Sequence, residues 1–391
     1  MDKNNKVGIV TLYHKNYNFG GLLQAYALPT ALNRYLGFSA EQIDYVIKPV
    51  ISQKKDTLSI KNVINDIGFW VFQRLEKNNL NKRENAFEQF IGDIPHSDRL
   101  YDYDNISESL GVYSAFICGG DQIWIDCQKI PWFRNVDSMV FTLRFVPEQV
   151  KKIAYAPSMT VLNLTNEFKK DFCIGLNRLD AISVREKNSL SVLKELTDKP
   201  ITVAVDPVLL LQESDWLQVI DYSQKKEKKE KYILCYLLGD SIEQRKSVKK
   251  FAKKVGCKLI TFPHILCNIV RKCDLFFKGI GDYSSGPREF LGLINNAEFV
   301  ITDSFHACVF SMIFKTPFAV FERNKIGEKG NMNSRIYGFL EEYHLESQLV
   351  TEKELIETEE ISNVDYTYAH EHWKKRRKES LEYLENALKN D

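Results

Sequence analysis

The chain lacks an excess of either charge: 53 lysines and arginines stand against 52 aspartates and glutamates over 391 residues, a formal charge of +1. Nucleic-acid backbones and acidic membrane surfaces select proteins with a basic excess, so no nucleic-acid partner is expected, and membrane contact is at most peripheral. It also lacks a long apolar run, since no stretch approaches the ~18 residues of a membrane span. The polar start Met1-Asp2-Lys3-Asn4-Asn5-Lys6 passes straight into a strand-like run without the apolar core of a signal peptide. A cytoplasmic protein is expected, placed if anywhere at the inner face of the membrane. No two of the eight cysteines form a C-x-x-C pair, which removes the usual zinc and redox spacings and predicts reduced, mostly buried thiols. No internal repeat of solenoid length is evident either.

What is present is an ordinary globular composition, long enough for roughly two to three domains of about 150 residues. Short β-branched runs at 7–12, 42–47, 115–118, 153–156, 181–184 and 201–205 alternate with helix-length segments, the pattern of a parallel sheet covered by helices. After Asp206-Pro207 the alternation fades into the mixed-charge run 225–231 and starts again at Tyr232. The spacing then predicts strands at 258–262, 299–302 and 318–321, with helices over 287–296 and 305–314. The fold expected is α/β: two Rossmann-like domains, 1–222 and 223–350, facing a central ligand cleft, followed by a C-terminal helical segment, 351–391. Lysine- and asparagine-rich residues 52–91, with apolar positions such as Val63, Ile67, Val71, Phe87 and Phe90, predict an inserted helical hairpin in the first domain. Residues 365–388 predict a long amphipathic helix, and its run Lys374-Lys375-Arg376-Arg377-Lys378 is the one local basic patch.

Several strand ends carry chemistry. Asn18-Phe19-Gly20-Gly21, one turn before Gln24, joins a strand to a helix, where free amides and the helix dipole can receive an anion; a plain tight turn is the alternative, as the spacing matches neither common nucleotide loop. Gly119-Gly120-Asp121 presents a carboxylate after paired glycines, or simply caps a helix. Arg185 ends another strand, where its fork can hold a carboxylate or phosphate, unless it is spent on Glu186. Thr302-Asp303-Ser304-Phe305-His306 places an imidazole in the first turn of a helix at the cleft edge, suited to proton exchange. Arg323, Lys325, Asn333 and Arg335 add cationic and amide groups nearby.

Taken in order, 18–28, 119–124, 155–158, 183–186, 206–210, 302–307 and 333–336 resemble the motif series of the polysaccharide pyruvyl transferase family. The resemblance implies a GT-B-like pair of domains and transfer of the enolpyruvyl unit of phosphoenolpyruvate to a sugar of a cell-surface polysaccharide or its lipid-linked precursor, leaving a pyruvate ketal. It implies His306 as general acid or base, Arg185 on the donor carboxylate or phosphate, and Asp121 on the acceptor hydroxyl. Asn18, Gly20, Gly21, Gln24, Gly119, Gly120, Ser304, Lys325, Asn333 and Arg335 complete the substrate site. Neither a metal nor a cofactor beyond the donor is expected. Some family members carry an arginine where this chain has Ser304, which leaves one donor-binding cation unassigned, with Arg323 and Arg335 as the candidates to replace it. A sugar-nucleotide glycosyltransferase of the same fold, or a non-catalytic glycan-binding homologue, are the alternatives.

Overall fold

The structure, a computed structural model, describes residues 5–15, 17–47, 60–126, 138–159, 163–220, 230–266, 269–270, 272–275, 280–323, 333–361 and 363–389. The first domain holds strands β1 (Lys6–Val10), β2 (Ser39–Tyr45), β3 (His96–Tyr101), β4 (Ala115–Gly119), β5 (Lys151–Tyr155), β6 (Ala181–Val184) and β7 (Ile201–Val203). They form one parallel sheet in the order β3-β2-β1-β4-β5-β6-β7. Its helices are α1 (Phe19–Tyr35), α2 (Ile60–Asp93), α3 (Asn166–Arg178), α4 (Ser189–Lys194) and α5 (Glu213–Val219). The second domain runs through β8 (Tyr232–Tyr236), β9 (Lys258–Phe262), a hairpin of β10 (Ile265–Leu266) and β11 (Ile269–Val270), then β12 (Ile280–Gly281), β13 (Phe299–Thr302) and β14 (Phe318–Val320). Its parallel sheet is ordered β12-β9-β8-β13-β14. The remaining helices are α6 (Ile242–Lys254), α7 (Lys272–Leu275), α8 (Pro287–Asn296), α9 (Phe305–Phe314), α10 (Asn333–Tyr343), α11 (Glu352–Glu357) and α12 (Thr367–Lys389).

Strand order reverses between β1 and β4 in one sheet and between β8 and β13 in the other. At such switch points the connections leave in opposite directions and open a crevice at the strand C-termini. The loops after β1, β4 and β13 are the segments singled out above, so the topology brings the candidate residues to two crevice edges.

An apolar seam joins the domains. Phe19, at the head of α1, stacks on Phe290 of α8 with centroids 4.5 Å apart and also meets Phe87 and Phe262; all four rings are buried. Each such ring contributes about 1.5–3 kcal/mol on burial. The expected hairpin over 52–91 is instead one 34-residue helix, α2. No proline interrupts Ile60–Asp93, so nothing turns the chain there. Arg83, Phe87 and Phe90 line its buried face at helical spacing, while residues 52–59 lie outside the described set.

The long C-terminal helix is present as α12, and it straps the two domains. Tyr366, just before it, donates to Thr316 O at 2.7 Å, and Trp373 Nε1 donates to Leu209 O at 2.8 Å. Further along, Val205 N donates to Ser380 Oγ at 3.1 Å and Tyr383 Oη to Ala154 O at 3.0 Å. Three of the five residues in the basic run on this helix have partners. Arg376 holds Glu342, Glu379 and Val203 O, Arg377 donates to Leu210 O over the Tyr35 ring, and Lys378 pairs with Glu382. No helix among the described residues is long and apolar enough to cross a membrane.

Candidate functional site

The site grows from a strained turn. After β5, Ala156 takes φ +46, a left-handed conformation costly for a residue with a Cβ. The turn lets Pro157 O accept from Arg185 N at 3.3 Å, while Ser158 Oγ and Met159 N hold the two oxygens of Glu186 at 2.7 and 3.2 Å. Glu186 so fixed accepts from Arg185 Nε at 2.9 Å, and Arg185 Nη1 donates to Asp206 Oδ2. Arg185 is therefore both paired with Glu186 and buried in the cleft. Its Nη2 has no partner. Burial alone would lower its pKa, but Glu186, Asp206 and Asp121 overcome that and hold it charged.

Across the domain boundary, Ser304 sits at the N-cap of α9 and sends Phe305 and His306 into the cleft wall. The imidazole lies so close to the α1 head that a Cβ on Gly20 would stand 2.1 Å from His306 Nδ1, which only glycine permits. His306 Nε2 is 3.6 Å from Asp206 Oδ2, beyond hydrogen-bond length, and it too is buried without a partner. Asp206 is wholly buried, so desolvation favours its neutral form; Arg185, then His306, outweigh this and hold its carboxyl well below the ordinary range. The Phe305 ring carries two guanidinium groups, Arg185 at 4.8 Å and Arg335 at 6.0 Å. Arg335 is pushed down to about 10, first by burial and then by repulsion from Arg185. The two guanidiniums stand among the carboxylates of Glu186, Asp206 and Asp121, so an incoming anion would meet the Arg185 Nη2 that those carboxylates leave without a partner.

The structure brings Arg185, His306 and Arg335 together and adds Asp206, the first residue of the motif at 206–210, to which the sequence alone assigns no role. A buried carboxylate at the exit of a strand was the available signal. Asp121 lies near enough for its charge to act on both Arg185 and Arg335. Arg323 donates to the backbone oxygen of Asp303 at 2.8 Å and pairs with its carboxylate at 3.7 Å, while Arg335 shares the Phe305 ring with Arg185. Several expected substrate ligands serve as braces. The Asn18 side chain accepts from Gly21 N at 3.0 Å, Gln24 Nε2 donates to Thr11 Oγ1 and Gly21 O, and Asn333 Oδ1 accepts from Arg323 N at 2.9 Å. Gly120, at φ +91, gives way to the Gln24 amide, and Gly119 packs on Tyr155 O. Lys325 lies outside the described residues.

Arg185, Asp206, Phe305, Ser334, Arg335 and Tyr337 help line a cavity of about 290 Å³ with walls from both domains. A larger one, about 870 Å³, lies in the second domain and carries Asp240, Glu243, Glu322, Glu352 and Glu354 against Arg323. No group of three or more His, Cys, Asp or Glu side chains able to hold a metal occurs among the described residues.

The family model for polysaccharide pyruvyl transferase matches residues 18–325. Among solved structures, the chain is similar to UDP-GlcNAc 2-epimerase from Neisseria meningitidis at TM-score 0.52 and 9% identity, covering 98% of this chain and 97% of that one. It is similar also to UDP-GlcNAc 2-epimerase from Methanocaldococcus jannaschii at TM-score 0.51 and 12% identity, covering 90% of each chain. Likeness at such identity concerns the fold alone, the GT-B arrangement of two Rossmann-like domains about a cleft. No curated protein sequence matches.

Proposed function

This chain belongs to the polysaccharide pyruvyl transferase family, and on that premise we propose that it moves the enolpyruvyl unit of phosphoenolpyruvate onto a sugar of a cell-surface polysaccharide or its lipid-linked precursor, forming a pyruvate ketal. The observation that carries this reading is the pair of buried, partnerless nitrogens, Arg185 Nη2 and His306 Nε2, gathered about Asp206 with Arg335 alongside. Buried polar groups are seldom left unsatisfied, because each costs about 1–3 kcal/mol. A ligand that brings a carboxylate, a phosphate and a carbon to be protonated removes that cost.

The steps follow from these groups. Arg185 and Arg335 hold the donor's anionic groups, and protonated His306 gives its proton to the methylene carbon. The second carbon becomes oxocarbenium-like. A sugar hydroxyl, oriented by Asp121, attacks that carbon and returns a proton to His306. Loss of phosphate regenerates the cation, a second hydroxyl of the same sugar closes the ketal, and its proton leaves with the phosphate. General acid catalysis of this kind contributes about 10²- to 10⁴-fold. Asp206 is a positioning residue, holding Arg185 and lying within ion-pair distance of the imidazolium. No metal or further cofactor enters.

A sugar-nucleotide transferase of the same fold would need a place for a diphosphate. The large cavity of the second domain, with five carboxylates against one arginine, repels one. The test is phosphate release from phosphoenolpyruvate in the presence of candidate acceptors, with mass spectrometry of the product. A gain of one pyruvate ketal with one phosphate released is expected. Release of a nucleotide from a sugar nucleotide, with phosphoenolpyruvate untouched, overturns the reading.

A further inference from the structure

The larger cavity, about 870 Å³, lies where the strand order of the second sheet reverses. Leu238 and Gly239, just past β8, line it together with Phe321, Glu322 and Arg323, just past β14. Strand C-termini at such a reversal are where open α/β sheets take ligands, and the volume is ordinary for a ligand pocket. Gln244 stands in the wall and is only 7% exposed. Its Nε2 donates to Glu322 O at 2.9 Å, which leaves Oε1, an acceptor, buried without a partner. Arg323 stands in the same wall with the converse lack. Its Nη2 donates to Asp303 O at 2.8 Å, while Nε, a donor, is 3.7 Å from the Asp303 carboxylate and makes no hydrogen bond.

These two groups and their neighbours select the chemistry of a ligand. A phosphate or carboxylate satisfies Arg323 Nε, but it brings only acceptors to Gln244 Oε1 and meets the negative charges of Glu243, Glu322 and Glu352. An ammonium group suits the carboxylates and has no lone pair for Arg323 Nε. A hydroxyl both donates and accepts, so a neutral polyhydroxyl compound, a saccharide, matches the wall.

The cavity also adjoins the reaction cleft. Tyr337 lines the cavity of about 290 Å³ with Arg185 and Arg335, and its hydroxyl donates to the Glu322 carboxylate in the wall of the larger one. Asn333 Oδ1 accepts from Arg323 N at 2.9 Å, on the same turn of α10 that carries Arg335. We propose that the larger cavity is a saccharide subsite, holding a neutral sugar of the acceptor beyond the one that reacts. Gln244 Oε1 and the Glu322 carboxylate accept from its hydroxyls, and Arg323 Nε donates to one. That the occupant belongs to the acceptor rests on the reaction proposed above, whereas its being an uncharged sugar rests on the cavity alone.

Saturation-transfer NMR and calorimetric titration of the full chain with lactose, cellobiose and N,N′-diacetylchitobiose test the subsite without donor or turnover. Wild type is expected to bind at least one of these neutral disaccharides. Gln244→Leu keeps most of the volume and removes the acceptor. Glu322→Ala removes the carboxylate at a part-exposed position, outside the apolar core. Each is expected to weaken the binding by about 10-fold. A wild-type chain that binds none of the three overturns the proposal, as does an affinity unchanged in whichever variant folds. Uridine diphosphate supplies the opposing chemistry: if the chain binds it and Gln244→Leu abolishes that binding, the cavity is a nucleotide pocket and the proposal falls. If phosphoenolpyruvate neither binds nor reacts while Gln244-dependent saccharide binding remains, the reaction reading falls and the subsite stands. If phosphoenolpyruvate is consumed with a sugar acceptor while no disaccharide binding depends on Gln244 or Glu322, the subsite falls and the reaction stands.

Discussion

Two buried arginines, one in each domain, are held in opposite ways. Arg245 in the second domain uses its whole fork internally: Nε and Nη2 donate to Asp274 at 3.1 and 2.7 Å, Nη1 to Gly239 O and Ser241 O, and Nη2 also to Leu237 O. Arg185 in the first domain binds two carboxylates and still keeps Nη2 without a partner. Both are buried, charged and next to acids, so neither burial nor ion pairing distinguishes a reactive arginine from a structural one. The unmade hydrogen bond separates these two, although Arg323, Arg335 and Arg377 each keep one as well, so it counts for Arg185 only together with its place on the cavity wall. It marks where the protein accepts a cost in the free state that a ligand can remove.

The comparison breaks most directly at Arg245. Arg245→Met leaves Asp274 buried without its cation and is expected to lower stability by about 3–5 kcal/mol in urea unfolding. Turnover per folded molecule should stay near wild type, and a large loss of turnover at full stability would erase the contrast. At the reacting end, His306→Gln removes the imidazole proposed to pass the proton and keeps much of the volume, so turnover should fall by at least about 10²-fold with a smaller change in donor KM. A folded variant that turns over normally leaves His306 only a positioning role. Arg185→Lys preserves the charge and gives up the fork. A rise in donor KM of about 10- to 100-fold is expected from one lost charge-assisted bond, and unchanged saturation would remove Arg185 from the anion site.

Much of this arrangement was legible beforehand because a parallel sheet writes itself as apolar runs. Ala181–Val184, Tyr232–Tyr236, Lys258–Phe262 and Phe299–Thr302 are strands with the bounds their patterns predict, as are the helices Pro287–Asn296 and Phe305–Phe314. β3 escaped notice because an edge strand needs no apolar face: His96-Ser97-Asp98-Arg99-Leu100-Tyr101 exposes its middle residues. In the site, residue type identified Arg185 and His306 at their strand and helix ends, but not what each side chain would bind. Asn18, Gln24 and Asn333 carry the polar groups expected of substrate ligands, yet three-dimensional neighbours claim them. Asp206 went unassigned for the converse reason, since its importance lies in being placed between Arg185 and His306, which sit 21 positions before it and 100 after it in the sequence.

The smallest effect, and the one that isolates Asp206, concerns acid stability. In the fold its carboxyl is held well below the ordinary range: burial works against the charge, and Arg185 and His306 more than compensate. A carboxyl with a depressed folded-state pKa contributes stability that is fully present above its unfolded value, near ~4, and that is lost as pH falls toward the folded value. Asp206→Asn removes this one titration while keeping the shape of the side chain. The stability difference between wild type and Asp206→Asn should therefore be constant above about pH 5 and shrink below about pH 4, by at most about 1.4 kcal/mol per pH unit, the slope of a single proton. Urea midpoints measured for both proteins between pH 3 and pH 6 give the curve. A difference that stays level through that window, or widens as pH falls, would show that Asp206 is not the charged partner of Arg185. The contrast with Arg245 would then rest on Glu186 alone.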